Sequence, residues 1–408
     1  MKATERFLKY ITYATESREE SPMDPSTKEQ FVLAKALEEE MKAMGLSDVR
    51  SDDRCYVYGV LPATPGYEDK YAIGFIAHMD TVEDYGQKPT KAQIIEHYDG
   101  SDIPLGTSGK VLSMTNFPKL AELKGKTLIT TDGTTPLGAD DKAGIAEILT
   151  AVEKLMTENI PHGKVCIGFT PDEEIGRGAL GFDVPGFGAD FGYTVDSGTV
   201  GSLEYENFNA SKAVFTCTGF SVHPGSSKNT MINAILVAHE IIASLPAYET
   251  PTHTEQYEGF FHVTGIKGDV NSARIDMIVR DHDANMFESR QRLLRHIEKN
   301  LNEKYGEGTV VLELHDQYRN MEEVVRPHMH LIENAKEAMR ALGVEPIIKP
   351  IRGGTDGATL SYMGLPCPNM CAGGHAAHGP FEHVAAEDME LISDIIVNIV
   401  KRYAEQEK

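Results

Sequence analysis

Three apolar runs end on residues that a hydrophobic core does not tolerate alone. Residues 71–77 lead into His78, Met79 and Asp80; 164–170 lead into Pro171, Asp172, Glu173 and Glu174; 193–195 lead into Asp196. Runs this short and this apolar read as strands covered on both faces, the pattern of a parallel sheet between helices. Helical periodicity at 5–15, 26–44 and 143–156 supplies such cover, and Gly45 closes the second of these helices. Further strands are expected at 57–61 and 129–131. The alternation predicts an α/β fold with a mostly parallel sheet. In open sheets of this kind ligands bind beyond the carboxyl ends of the strands. His78, Glu173 and Asp196 fall there.

A chain of 408 residues exceeds what one compact core usually holds. The element order changes between 210 and 316. Strand 213–218, helix 231–245, strands 260–266 and 274–279, helix 285–303 and strand 309–314 form βαββαβ, a ferredoxin-like split motif. The expected division is a first domain of residues 1–208 and 317–408 with a second, 209–316, inserted into it. After the insertion the α/β order resumes, with helix 329–342, a loop at 353–357, a strand at 369–372 and helix 387–404.

Composition narrows the function. The net charge of −23, from 39 basic and 62 acidic residues, disfavours nucleic acid and anionic membranes as partners. No stretch approaches the roughly 20 apolar residues that span a bilayer. The first 17 residues carry acids and lack the apolar core of a secretion signal. Cys55, Cys166, Cys217, Cys367 and Cys371 are dispersed, as expected for free thiols in a reducing cytoplasm. Cys367 and Cys371 have no second pair with which to complete a tetrahedral metal site.

The polar motifs fit one chemistry. His78 and Asp80 are one residue apart, so alternation sends both side chains to the same side. His78 on a metal, with Asp80 accepting its other ring N–H, is a familiar division of labour. Asp140 and Asp141 lie in GADDKAG, before a helix, where Asp also serves as an N-cap. Asp140 is the candidate to bridge two cations. Lys142, at the positive end of that helix, requires compensation. Glu173 and Glu174 point in different directions, which suits Glu173 as general base and Glu174 as ligand. Asp196 precedes Ser197 and Gly198, where Asp is also an ordinary turn residue. His375, His378 and His383 compete for one ligand position in GGHAAHGPFEH. Two histidines and three carboxylates suit two metals about 3.5–4 Å apart, sharing a carboxylate and a water.

Longer motifs add a resemblance. LGADDKAGIAEI, FTPDEE, FSVHPGSS, KPIRGGTDGA, MGLPCPN and a closing HG-x-x-E run through the whole chain. With them the chain resembles the tripeptide aminopeptidases of the zinc-dependent aminoacylase/carboxypeptidase metallopeptidase family. The resemblance implies one zinc on His78, Asp140 and Asp196 and a second on Asp140, Glu174 and His378, with cobalt or manganese as substitutes. It selects His378 among the three histidines, because Gly379 and Glu382 follow it in register. Asp80 would orient His78, and Glu173 would be the base. His223, in SVHPG, would reach a neighbouring subunit's active site and stabilise the oxyanion. Arg280 and Arg352 would hold the substrate's carboxylate or backbone, for which a guanidinium fork is suited. A lid-mediated homodimer and a cis peptide between Asp140 and Asp141 are also implied.

The chain departs from the family pattern at Pro380 and Phe381, where relatives carry a basic HGKHE sequence, and at Ser197, where Gly is usual. The expected reaction is removal of the N-terminal residue from short peptides. Rival readings are an N-acyl-amino-acid deacylase, a carboxypeptidase, or a peptide-binding protein without catalysis. Retention of Glu173 beside Glu174 speaks against the last, because a binder needs no base.

Overall fold

The computed structural model describes residues 1–196 and 198–408. Ser197, one of the departures noted above, lies outside the described residues. The chain divides into two units. The first comprises Met1–Tyr205, Glu323–Lys349 and Thr355–Lys408, and the second comprises Glu206–Glu322 with Pro350–Gly354.

The first unit is built on an eight-stranded sheet in the order Ser47–Ser51, Val57–Leu61, Val165–Thr170, Ile73–His78, Phe191–Val195, Asn369–Met370, Ser202–Glu204, Ile347–Ile348. The four strands from Val165–Thr170 to Asn369–Met370 run parallel. Val57–Leu61 and Ser47–Ser51 add antiparallel on one side, and Ser202–Glu204 adds antiparallel on the other. The parallel centre is where the apolar runs lie. Ile73–His78 and Val165–Thr170 are buried at every position, as strands with helices on both faces must be. Helix Ala139–Thr157 packs on this sheet between Ala3–Tyr10 and Ala386–Glu405. It is buried on nearly all sides, and its buried residues include Asp140, Asp141, Lys142 and Glu147 as well as apolar ones.

Several elements of this unit escape a reading of pattern alone. Ser47–Ser51 has no apolar alternation. Leu128–Thr131 pairs with Ala92–Ile95 and His383–Ala385 in a separate three-stranded antiparallel sheet. Residues 353–357, expected as a loop, contain the start of a helix, Asp356–Tyr362. The Thr355 hydroxyl caps it by accepting from Gly357 N–H.

In the second unit, Asn209–Thr218, Ala234–Ala243, Phe260–Gly268, Ser272–Asp281, Ala284–Tyr305 and Val310–Tyr318 follow the order βαββαβ. The strands form an antiparallel sheet with the spatial order second, third, first, fourth. Both helices cover a core that includes Phe215, Ile275, Met277 and Leu294. Residues 350–354 group with this unit, whereas the sequence pattern places them in the segment 317–408. Ile351 bridges to Asn207, and Arg352 ties down residues 254–258.

Candidate active site

Neighbouring parallel strands deliver their following residues to one edge of the sheet. His78 is the last residue of its strand and is 3% exposed. Glu173 and Glu174 open the 3-10 turn Glu173–Ile175 after Val165–Thr170. Asp196 follows Phe191–Val195 directly. Asp140 and Asp141 come from the first turn of Ala139–Thr157, where their backbone angles are non-helical and the peptide between them is cis. Gly144 lets this turn approach. A Cβ there would lie 2.0 Å from the Val195 carbonyl and 2.7 Å from Asp141 Oδ1. Only glycine allows the helix to bring its two aspartates against the end of the Asp196 strand.

The side chains converge. His78 Nε2 lies 2.9 Å from Asp140 Oδ1 and 3.8 Å from Asp196 Oδ1. His378 Nε2 lies 3.2 Å from Asp140 Oδ2 and 3.0 Å from Glu174 Oε2. One carboxylate thus faces both imidazoles, one through each oxygen. Asp141 also faces inward. Its Oδ2 accepts from the His78 backbone N–H at 3.1 Å, while its Oδ1 is buried with no hydrogen-bond partner among the described residues. Nitrogen and oxygen atoms of His78, Asp141 and Asp196, and of His78, Asp140 and Glu174, come within 4.8 Å of one another.

Asp80 has two tasks. Its Oδ1 is 3.3 Å from His78 Nδ1. Its two oxygens also accept from the backbone N–H groups of Glu173, at 2.9 Å, and Glu174, at 3.2 Å. Fully buried, it fixes the imidazole and the start of the acidic turn together. The second task has no signature in sequence spacing.

The electrostatics are those of too much negative charge in one place. Burial pushes Glu173 well above the ordinary carboxyl range, and the charges of Asp196 and Asp356 add to this. Burial, then Asp140, raises Glu174. Burial, then Asp140, likewise raises Asp196, and burial with Asp196 raises Asp141. Asp140 goes the other way. Burial raises it, but hydrogen bonds from His378 and His78 outweigh that and hold it below the usual range. Hydrogen bonds to Asp140 and Glu174 push His378 up to about 11. Carboxylates this close and this buried cannot all ionise unless cations accompany them. Two divalent ions would meet that demand, and an oxygen-rich set with two imidazoles is a donor set that zinc, cobalt or manganese accept. The residues fit a dinuclear metal centre.

The three competing histidines separate. His375 and His383 stack on each other with ring centroids 5.1 Å apart, and His378 alone of the three faces the acidic cluster. The lysine at the helix start is compensated by the Tyr13 carbonyl, which accepts from Lys142 Nζ at 2.8 Å. Burial lowers that ammonium to about 7.

The remaining candidates lie in the second unit. His223 is exposed, and its Nδ1 accepts from Gly225 N–H at 3.2 Å, which places the ring proton on Nε2. Arg280 is 8% exposed. It donates to the carbonyls of Ser211 and Val279 and to Gln317 Oε1, with Tyr318 against its guanidinium. Arg352 turns both terminal nitrogens to oxygens of Thr254, Gln256 and Glu258 and lies over Phe208 and Phe260. Any contact between Arg352 and a substrate would have to replace some of these bonds.

The family model for peptidase family M20/M25/M40 matches residues 138–402. The chain belongs to this family. The M20/M25/M40 match takes in Asp140, Glu173, Glu174, Asp196 and His378, and begins after His78 and Asp80. Full-length relatives extend over those as well. Peptidase T of Desulfitobacterium hafniense is 52% identical over 404 residues, 98% of each chain. Peptidase T of Clostridium perfringens is 52% identical over 406 residues, 99% of this chain and all of that one. The chain is a peptidase. Among solved structures, an aminopeptidase from Bacillus cereus aligns with a TM-score of 0.78 at 23% identity, over 99% of this chain and 98% of that one. A tripeptidase from Staphylococcus aureus aligns at 0.77 and 21%, with the same coverage. A dinuclear metal-binding peptidase from Bacillus subtilis shares the fold at 0.66 and 13%, over 99% of this chain and 98% of that one.

Two acids at the site were not singled out for roles by sequence reasoning. Asp356 is 7% exposed, and its Oδ2 accepts from the Thr170 hydroxyl at 2.6 Å. Burial raises it to about 6. Glu382 is 1% exposed and accepts from three backbone N–H groups at the Asp140 turn. Both sit in motifs that carried the family resemblance. Their partners lie 186 and more than 240 residues away, beyond any local pattern.

Proposed function

We propose that the protein is a dinuclear metallo-aminopeptidase that removes the N-terminal residue from tripeptides. The observation that carries the reading is the peptidase T identity across the whole chain, together with convergent carboxylates that face the imidazoles of His78 and His378. His78, Asp140 and Asp196 are the proposed ligands of one zinc. Asp140, Glu174 and His378 are those of the other, with Asp140 shared. Two zinc ions held by these residues would supply Lewis acidity, lowering the pKa of a bound water and polarising the scissile carbonyl.

The protein's own groups do the rest. Glu173 accepts the water's proton and passes it to the leaving amine, a role that its raised proton affinity suits. Asp80 holds His78 in one tautomer and keeps Glu173 and Glu174 in register through their backbone N–H groups. His223, with its proton on Nε2, is the proposed donor to the tetrahedral oxyanion in the active site of a second copy. Arg280 and Arg352 are the proposed contacts for the peptide's carboxylate and backbone. The second unit is the proposed lid and dimerisation domain. Exposed Phe220, Ile235 and Leu236 support an apolar contact there. Among the described residues, no helix is long and apolar enough to cross a membrane, and a cytoplasmic location is proposed. Neither nucleic acid nor membrane is expected as a partner.

The test is a matched substrate set: a free-amine tripeptide, the corresponding dipeptide and tetrapeptide, the N-acetylated tripeptide and an N-acyl amino acid. Cleavage of the free tripeptide at its first bond, with little turnover of the others, is the expected result. Preference for the acylated compounds would move the assignment to a deacylase. Release of the C-terminal residue would move it to a carboxypeptidase. No turnover of any, with Glu173→Ala indistinguishable from the parent, would favour a binding protein.

A further inference from the structure

His378 is a proposed metal ligand with an unusual setting. Histidine ligands ordinarily donate their second ring N–H to a carboxylate or carbonyl, which fixes the ring. The partners of the His378 ring are Asp140 and Glu174, both reached from Nε2. Among the described residues Nδ1 has no such support. The side chain is 55% exposed, and its loop carries His378 itself at φ 65°, in the left-handed region. Something other than the ring must therefore hold the imidazole against Asp140.

The backbone four residues on supplies it. Glu382 N–H donates to the Gly379 carbonyl at 3.1 Å, closing a turn directly after His378. The Glu382 carboxylate then reaches into the other ligand loop. Oε2 accepts from Leu137 N–H at 2.7 Å and from Gly138 N–H at 2.9 Å, and Oε1 accepts from Asp140 N–H at 2.9 Å. These donors stand at the start of helix Ala139–Thr157, where unpaired N–H groups and the helix dipole favour an anion. A carboxylate offers only acceptors to all three. An amide in its place must turn its NH2 towards at least one backbone N–H.

We propose that Glu382 is a positioning residue of the metal centre, clamping the His378 turn onto the Asp140 turn so that two of the three proposed ligands of the second metal, Asp140 and His378, are set by one buried carboxylate. Glu382 is not itself among the proposed ligands. It acts through the two ligands it joins. The inference rests on the dinuclear reading above.

The experiment measures zinc binding directly, by competition with a chromophoric chelator and by metal analysis, on the parent, Glu382→Gln, Glu382→Asp, His378→Ala and the double variant H378A/E382Q. Outer partners of metal ligands typically contribute 10–100-fold in metal affinity, so E382Q should bind the weaker of two zinc ions about 10–100-fold less tightly. Its tripeptide hydrolysis should recover as free zinc is raised. E382D keeps the charge on a shorter arm and should fall between parent and E382Q. It also carries the test if E382Q does not fold, with circular dichroism of the metal-free proteins as the check. In the His378→Ala background the added cost of E382Q should shrink, because one of the two clamped ligands is gone.

A parent that binds two zinc ions alongside an E382Q of unchanged affinity would overturn the clamp and leave the proposed function standing. So would a full, undiminished effect in the His378→Ala background. A parent that binds no zinc would overturn the dinuclear reading itself.

Discussion

Glu147 sits at full burial in the middle of helix Ala139–Thr157, and neither of its carboxyl oxygens has a hydrogen-bond partner among the described residues. Burial pushes it well above the ordinary carboxyl range, and the charges of Asp388 and Glu390 on the packed helix Ala386–Glu405 add to this. The native state therefore keeps a proton that the unfolded chain releases near pH ~4.3. The sign follows from linkage. A raised native pKa in an acid means that the folded state binds more protons, so stability falls as pH rises from the unfolded value up to the native one.

Replacing Glu147 with Gln keeps the shape and removes the proton. Below pH ~4 the parent and E147Q should differ little. Above that, the stability of E147Q relative to the parent should grow by about 1.4 kcal/mol per pH unit until the native pKa is passed. Other titrating groups cancel in the difference, provided they do not contact residue 147. Urea denaturation of the metal-free proteins at half-unit steps from pH 4 to 8, followed by circular dichroism, reads this out. A difference that stays flat across that range would mean that Glu147 titrates alike in both states, contrary to its burial without a partner.

Other consequences concern the site and the packing that builds it. Glu173→Gln should bind zinc as the parent does and lose about 10²–10⁴-fold in kcat, the usual contribution of a positioned base, measured by tripeptide hydrolysis at saturating metal. Asp80→Asn removes the charge beside His78 Nδ1 and must turn its NH2 either towards Glu174 N–H or towards His78 Nδ1 and Glu173 N–H. It should lower both kcat and zinc affinity, the latter by about 10–100-fold, where loss of an orienting group for His78 alone would spare the acidic turn. Gly144→Ala drives a methyl into the Val195 carbonyl. It should destabilise the first unit by about 1–3 kcal/mol, the usual cost of overpacking, and separate Asp141 from Asp196; unchanged stability in thermal unfolding would contradict the close approach.

Much of this site is legible in the sequence. Buried parallel strands are apolar until their last residue, so the abrupt appearance of His78, of Glu173 and Glu174, and of Asp196 marked both the strand ends and the cleft. Residues whose meaning depends on distant partners were not legible in the same way. Asp80 looked like a support for His78, and its hold on two backbone N–H groups 93 and 94 residues away appears only in three dimensions. The compensation of Lys142 by the Tyr13 carbonyl was expected in kind but could not be located, because a backbone oxygen has no sequence identity. Ser47–Ser51 lacks the alternation that marks a strand, since as an outer strand it is only partly covered on either face. The helix at Asp356–Tyr362 is hidden behind two glycines, although Thr355 as N-cap and Asp356 in the first turn together carry a helix-start signal.

In the proposed mechanism, two metal ions on these ligands make the peptidase work. Protein stripped of metal by chelation, dialysed free of chelator and titrated with zinc while tripeptide hydrolysis is recorded tests it most directly. Activity should be absent at the start and climb to a plateau at two equivalents per chain, with no further gain beyond. Full activity in the stripped protein, or a titration that leaves it inactive at every zinc level while free-amine tripeptide is intact, would contradict the account.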